Sequence, residues 1–351
     1  MRVLLTGANG FLGKRVAKDL LKDGHELLLL VRNAKKLDRF MQEITSDQQK
    51  ANVRIIEGYI TSENLGLDED MIKELEGKID AVFHMAALLS FDEKDEALTH
   101  EVNVTGTKHV LDFAVNIQCE KFLYVSTAYT IGNETKGAEA LYSQAREFVN
   151  SYERTKCEAE HLVDSYSNQI SVAILRPAII IGDSVTGKAE TSFGLYGILK
   201  SLKLLKRRMA RKPELQTLPF RLVMDRDVAS NIVPVDYVSS VLVAALKYCK
   251  NRDILNITNP EPPRQDVVLQ LIREYMELPN LETIQHGSEH QLRDDELEFN
   301  KPLSVFANYL GRNIHFPCET TANILRQANK PILDMDEKML QTIIKGYIGN
   351  K

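Results

Sequence analysis

An open, doubly wound α/β sheet with a smaller, mostly helical C-terminal part is the fold class that three observations in this sequence predict. Short apolar runs recur through the first 180 residues, amphipathic helical patterns separate them, and a glycine-rich turn joins the first run to the first helix. Runs apolar on consecutive residues suit strands buried on both faces of a parallel sheet. Strand–helix–strand repetition is how such a sheet is wound.

The runs lie at 3–5, 27–31, 53–56, 81–83, 122–125 and 172–175, each of strand length. Leu12, Val16 and Leu20 recur every four residues and place the first helix, which Gly24 stops. Val102, His109, Val110 and Phe113 place another after the polar stretch 92–96, and 151–166 reads as a third. After Pro177 the alternation breaks down. Gly187, Gly194, Gly197, Pro213 and Pro219 punctuate 182–222, and a strand-like 254–257 returns to the sheet. The tail, with acidic clusters near Glu289 and at 294–298, reads as helical and irregular. The expected division is a nucleotide-binding unit over 1–185 with a return at 225–258, and a substrate-binding or lid part from 186–224 and 259–351.

Composition narrows the function classes. The 351 residues suggest about two units at roughly 150 residues each. Hydrophobic residues at 44 % and charged residues at 26 % are ordinary for a soluble globular chain and exclude disordered, collagenous and disulfide-scaffold classes. Lys and Arg number 44 against 49 Asp and Glu, a net charge of −5, so the basic footprint of a nucleic-acid binder is missing. No apolar run approaches the ~20 residues that span a bilayer. Met1 and Arg2 lead straight into the first strand, with neither a signal-peptide core nor a cleavage site, so a cytoplasmic location is expected. Cys119, Cys157, Cys249 and Cys318 lie far apart, which predicts neither a zinc site nor a disulfide framework. His25, His84, His100, His109 and His161 have no metal-ligand spacing either.

The turn at 6–13 reads T-G-A-N-G-F-L-G, a G-x-x-G-x-x-G spacing between strand and helix. Gly7 allows a tight turn, Gly10 lets the backbone approach a pyrophosphate, and Gly13 lets the helix pack close to the sheet. Free N–H groups and the dipole at the helix N-terminus favour the phosphate charge. An NAD site usually places an acid at the end of the second strand to hold the ribose 2′-OH. Here Arg32 stands there, with Lys35 and Lys36 behind it. A guanidinium forks well onto a 2′-phosphate, so NADP(H) is expected over NAD(H).

Tyr152 and Lys156 are spaced i, i+4 and share one face of the third helix. A nearby ammonium favours the phenolate and is expected to lower the tyrosine's pKa. The phenol could then give a proton to a carbonyl oxygen as hydride reaches the carbon. Ser126 and Thr127 directly follow the fifth strand, where an open α/β sheet binds its ligands. A hydroxyl there can stabilise charge developing on the substrate oxygen.

Taken together, these motifs resemble the extended short-chain dehydrogenase/reductase superfamily. The matching pieces are the turn at 6–13, H-M-A-A at 84–87, N-V-T-G-T at 103–107, V-S-T-A-Y at 125–129, Y-E-R-T-K at 152–156, L-R-P at 175–177 and V-P-V-D-Y-V at 233–238. A narrower resemblance, carried by I-T-S-E-N-L-G-L at 60–67 and by Phe91-Asp92, is to the thioester reductase and fatty acyl-CoA reductase branch. That branch uses NADPH to reduce acyl thioesters. The resemblance implies Tyr152 as proton donor, Lys156 on the nicotinamide ribose, and Thr127 or Ser126 holding the carbonyl, with Ile131-Gly132 favouring Thr127. It further implies cofactor contacts from Gly7, Asn9, Gly10, Phe11, Leu12, Gly13, Arg32, Lys36, Ala86, Ala87, Pro177 and Ile180, and Asn103 bracing the loop after the fourth strand. Tyr59 stands where the family usually has an adenine-contacting Asp, and a stacking ring could substitute.

Seven basic residues and no acid occupy 200–212: Lys200, Lys203, Lys206, Arg207, Arg208, Arg211 and Lys212. Three readings stay open for them: a solvated helix face, a docking site for an anionic handle such as a CoA phosphate or an acidic carrier protein, or an interfacial membrane helix. The leading function is an NADPH-dependent reductase of a carbonyl or acyl-thioester substrate. A nucleotide-sugar epimerase or dehydratase is opposed by Arg32 and by Ala128 and Tyr129 after Thr127. A silent NADP sensor is opposed by the presence of both Tyr152 and Lys156. The sequence leaves a homodimer open.

Overall fold

The protein is described by a computed structural model over residues 1–191, 194–211, 218–306, 309 and 311–349. Its strands are β1 (Arg2–Thr6), β2 (Glu26–Val31), β3 (Val53–Glu57), β4 (Ala81–His84), β5 (Lys121–Val125), β6 (Ser171–Pro177), β7 (Ile179–Ile181), β8 (Phe220–Val223), β9 (Ile232–Pro234), β10 (Asp253–Ile257) and β11 (Leu281–Ile284). Its helices are α1 (Phe11–Lys22), α2 (Asp38–Glu43), α3 (Asp47–Ala51), α4 (Glu69–Leu75), α5 (Glu96–His100), α6 (Gly106–Asn116), α7 (Ser151–Ser165), α8 (Leu195–Arg211), α9 (Val235–Tyr248), α10 (Gln265–Met276), α11 (Asp294–Asn300), α12 (Glu319–Gln327) and α13 (Glu337–Gly349).

Seven strands form one parallel sheet in the order β10-β6-β5-β4-β1-β2-β3. All six apolar runs read from the sequence, and the returning 254–257, lie in it. The order reverses at β1, where Thr6 pairs with Leu30 on one side and His84 on the other. Such a reversal opens a crevice at the carboxyl ends of β1 and β4, the usual ligand position in this class of sheet. On one face Leu4, Leu28, Val82 and Phe122 pack with Val110, Leu111 and Phe113 of α6 and Ala159 and Val163 of α7. Elsewhere α1 buries Val16, Ala17, Leu20 and Leu21, and Ser239 of α9 donates to Asp19 Oδ2 at 2.7 Å. Each large aliphatic side chain buried this way contributes about 2 kcal/mol.

The chain divides into two compact units. The first comprises Met1–Ala178, Tyr237–Thr258 and Phe316–Ile332; the second comprises Ile179–Asp236, Asn259–His315 and Leu333–Lys351. The sequence-based division kept 179–185 and 225–236 with the sheet and 316–332 with the C-terminal part; the structure groups them the other way. Two threonines explain the second case. Thr320 donates its N–H and Oγ1 to Glu139 Oε2 at 2.7 and 2.6 Å, and Thr321 Oγ1 donates to the Asn256 carbonyl at 2.8 Å. These bonds, with buried Ile324 and Leu325, fasten α12 to the first unit.

Among its described residues the second unit has two short parallel ladders, β7 with β9 and β8 with β11. Its core joins Ile198, Leu199, Leu202 and Leu205 of α8 to Leu269 and Ile272 of α10 and Leu340, Ile343 and Ile344 of α13. Arg221 grips Glu296 of α11 through two bonds of 3.0 and 2.6 Å.

Candidate active site

The site begins where β1 ends. Gly7 has φ +76, and a Cβ there would lie 2.7 Å from the Ala86 nitrogen; a Cβ on Gly13 would lie 2.2 Å from the Gly7 carbonyl oxygen. Only glycine tolerates that turn and that approach of helix to strand. Asn9 and Gly10 are exposed, Phe11 and Leu12 partly buried and Gly13 buried. No side chain caps α1 and no acid stands in its first turn. Its leading N–H groups are therefore directed at any anion that enters the turn.

A chain of hydrogen bonds ties this turn to the loop after β4. Thr6 Oγ1 accepts from the Met85 and Ala86 N–H groups at 3.2 and 3.1 Å and donates to His84 Nδ1 at 2.7 Å. His84 Nε2 then donates to Thr107 Oγ1 at 3.0 Å, which donates to the Asn103 carbonyl at 2.6 Å. One hydrogen per hydroxyl fixes this direction and the imidazole tautomer. Burial, helped by the Lys156 charge, holds His84 down at about 3, so the ring is neutral. Asn103 sits in a π-helical turn, Glu101–Thr105, that runs into α6. Its amide bonds the Leu88 N–H and C=O at 2.8 and 3.0 Å and donates to Thr155 Oγ1 of α7 at 3.1 Å. Ala86 is partly buried and Ala87 exposed on the loop so fixed.

Helix α7 starts at Asn150, whose side chain accepts the Glu153 N–H at 3.0 Å. Lys156 is buried and donates to the Val125 carbonyl at 2.7 Å, with its ammonium 4.4 Å from the centre of the Tyr124 ring. Burial pulls Lys156 from 10.5 down to about 7, against the opposing pull of Glu160. Tyr152 is partly exposed, and the Phe91 ring stands edge-on to it at 6.5 Å. Its phenol is held above the ordinary value, first by burial and then by the Glu153 charge. The expected lowering of this pKa by Lys156 is thus corrected. The sequence argument counted only the charge, whereas desolvation drives both groups towards their neutral forms.

At the end of β5 the two hydroxyls differ. Ser126 Oγ donates to Glu160 Oε1 at 2.6 Å. Thr127 Oγ1 accepts the Tyr129 N–H at 3.3 Å, and its own hydrogen has no acceptor among the described residues. Glu160 is fully buried and paired with fully buried Arg176 through bonds of 2.8 and 2.6 Å. Sequence reasoning missed Glu160; the available signal was an acid four residues after Lys156, on the same helical face.

Arg32 and Lys36 are exposed beyond β2, and neither pairs with an acid among the described residues. Tyr59, 51 % exposed, follows β3. Pro177 is buried at the end of β6, while Ile180 lies on β7 in the second unit. Helix α8 carries the basic stretch. Lys206 and Arg208 bond Glu277 and Glu298 at 2.5 and 3.2 Å. Lys200, Lys203, Arg207 and Arg211 have no acidic partner among the described residues; Lys212 and Pro213 lie outside those residues. Among the described residues no group of His, Cys, Asp or Glu could hold a metal ion, and no helix is long and apolar enough to cross a membrane.

The chain is 26 % identical over 322 residues to the fatty acyl-CoA reductase wat of Drosophila melanogaster, covering 78 % of this chain and 59 % of that protein. It is 29 % identical over 216 residues to the NRPS-like oxidoreductase fscA of Fusarium equiseti, covering 58 % of this chain and 20 % of that one. It therefore spans just over half the length of the first relative and a fifth of the second. Its fold is similar to the terminal R domain from the myxalamid PKS-NRPS biosynthetic pathway, with a TM-score of 0.79 and 22 % identity over 99 % of this chain and 90 % of that one. Residues 5–242, more than half of the chain, match the family profile described as male sterility protein, and the chain belongs to that NAD-binding family within the extended short-chain dehydrogenase/reductase superfamily.

Proposed function

We infer that this chain is an NADP(H)-dependent reductase of acyl thioesters. The observation that carries the reading is the meeting, in the first unit, of an uncapped glycine turn with a buried lysine, a tyrosine one turn before it and a strand-end threonine with an uncommitted hydroxyl. Among relatives, one is named a fatty acyl-CoA reductase, which supports a thioester over a nucleotide sugar.

A dinucleotide fits the residues present. The α1 amides and Gly10 receive its diphosphate, and Arg32 with Lys36 receives a ribose 2′-phosphate. When bound, the cofactor supplies the hydride. Thr127 donates a hydrogen bond to the thioester carbonyl oxygen and stabilises its developing charge. Tyr152, kept neutral by burial, gives its proton to that oxygen. Lys156, fixed on the Val125 carbonyl, stabilises the resulting phenolate. Breakdown of the hemithioacetal then releases an aldehyde and a thiol. Lys200, Lys203, Arg207 and Arg211 of α8, without acidic partners among the described residues, suit an anionic carrier of the thioester, CoA or a protein.

The test is NADPH oxidation across acyl-CoAs, acyl-loaded carrier proteins, aldehydes, ketones and nucleotide sugars. Thioesters are expected to turn over, and Tyr152→Phe to lower kcat by about 10³ while NADPH binding changes less than about threefold. Turnover of nucleotide sugars alone, or full activity in Tyr152→Phe, overturns the reading.

A further inference from the structure

Glu160 is a buried carboxylate that the reaction above does not use, and its bonds converge on the end of β5. Its Oε1 accepts from Ser126 Oγ at 2.6 Å, Thr130 Oγ1 at 3.3 Å and Arg176 Nε at 2.8 Å, and its Oε2 accepts from Arg176 at 2.6 Å. Thr130 Oγ1 also lies 3.2 Å from the Thr127 carbonyl. One carboxylate therefore holds the residue before Thr127 and the residue three after it. Arg176 is itself held by the Ala138 carbonyl at 3.1 Å and by the face of Tyr142 at 4.2 Å. A buried ion pair adds little net stability, and apolar side chains of the same volume would fill the space as well. What apolar residues could not do is accept two hydroxyl hydrogens at fixed positions.

We propose that Glu160, neutralised by Arg176, is a positioning residue. It ties down the Ser126 and Thr130 hydroxyls and leaves Thr127 as the strand-end hydroxyl presented to a substrate carbonyl. What Thr127 meets rests on the reductase reading; the tie itself does not.

A double-mutant cycle tests the assignment. Thr127→Val is expected to lower kcat by about 10², and Glu160→Gln by a similar factor with NADPH affinity within about threefold. The double variant is expected to lose no more than Thr127→Val alone, because Glu160 acts through Thr127. A purely structural role would multiply the two losses, and that result overturns the proposal. Should Glu160→Gln fail to fold, Ser126→Ala with Thr130→Val cuts both ties, leaves the ion pair whole and takes its place in the cycle. Hydrogen exchange gives a readout without turnover. Amides of 126–132 are expected to exchange at least about tenfold faster in either variant, with β1 and α1 unchanged. Unaltered exchange there also overturns the proposal. If the unaltered protein reduces no thioester, the functional reading fails, and the exchange data still decide whether Glu160 holds the strand end.

Discussion

Lys156 and His84 show what burial does to single groups in this protein. Lys156 loses its proton near pH 7 in the free protein, and the raised Tyr152 stays protonated there. Proton donation from Tyr152 leaves a phenolate that only charged Lys156 stabilises. We expect kcat/KM for reduction to be flat in mild acid and to fall above about pH 7, since that parameter reports the free enzyme; a plateau to pH 9 would contradict it. His84 bears on stability. Its value is 6.5 in the unfolded chain and about 3 when folded. As pH falls the unfolded chain takes up this proton first, so the contribution present above 6.5 is lost between 6.5 and 3. Denaturant titrations along this range should show an acid limb that His84→Gln flattens. Arg32→Asp is expected to swing the NADPH/NADH preference towards NADH by at least about tenfold; an unchanged ratio of kcat/KM values would remove Arg32 from the phosphate. Residue types and positions at this scale were legible from local spacing. The preference for Thr127 over Ser126 came from the resemblance at Ile131-Gly132 and not from local spacing, because the acid that binds Ser126 lies 34 positions away in the chain. The direction of the Tyr152 shift was hidden for a related reason: desolvation depends on neighbours brought by the fold.

Among the elements, α8 separates its residues cleanly. Its apolar side is buried in the second unit's core, and the flanking Lys206 and Arg208 are paired with acids. Lys200, Arg207 and Arg211 fall on one exposed stripe with Leu204, which is 56 % exposed. Replacing the three cations with Gln should raise KM for an anionic thioester several-fold at low salt and hardly at all at high salt, where screening has already removed the attraction. Equal KM values at both ionic strengths would leave the helix merely solvated. The inner strands of the main sheet were readable because burial on both faces leaves no polar alternation to confuse the signal, whereas the edge strand β3 keeps exposed Arg54 and Glu57. The short ladders of the second unit were not. They hold three or four residues each, too few to declare a period against the glycines and prolines around them.

For the molecule as a whole, the decisive fact is that neither unit is continuous in sequence. The presence of two units followed from length and from the loss of alternation after Pro177. The homing of Phe316–Ile332 to the first unit did not, since it depends on Thr320 and Thr321 meeting Glu139 and Asn256. Replacing Ile324 and Leu325 together with Ala should cost the first unit on the order of 5 kcal/mol. Its Tm should fall accordingly, and limited proteolysis should attack the segment carrying Glu139 first; an unshifted melting curve would show that α12 is dispensable. The same threading has a consequence for biosynthesis. On the ribosome, β6 emerges long before β10, its neighbour in the finished sheet. Until that partner is translated, the nascent chain displays a bare row of N–H and C=O groups along an apolar strand, an edge open to intermolecular pairing.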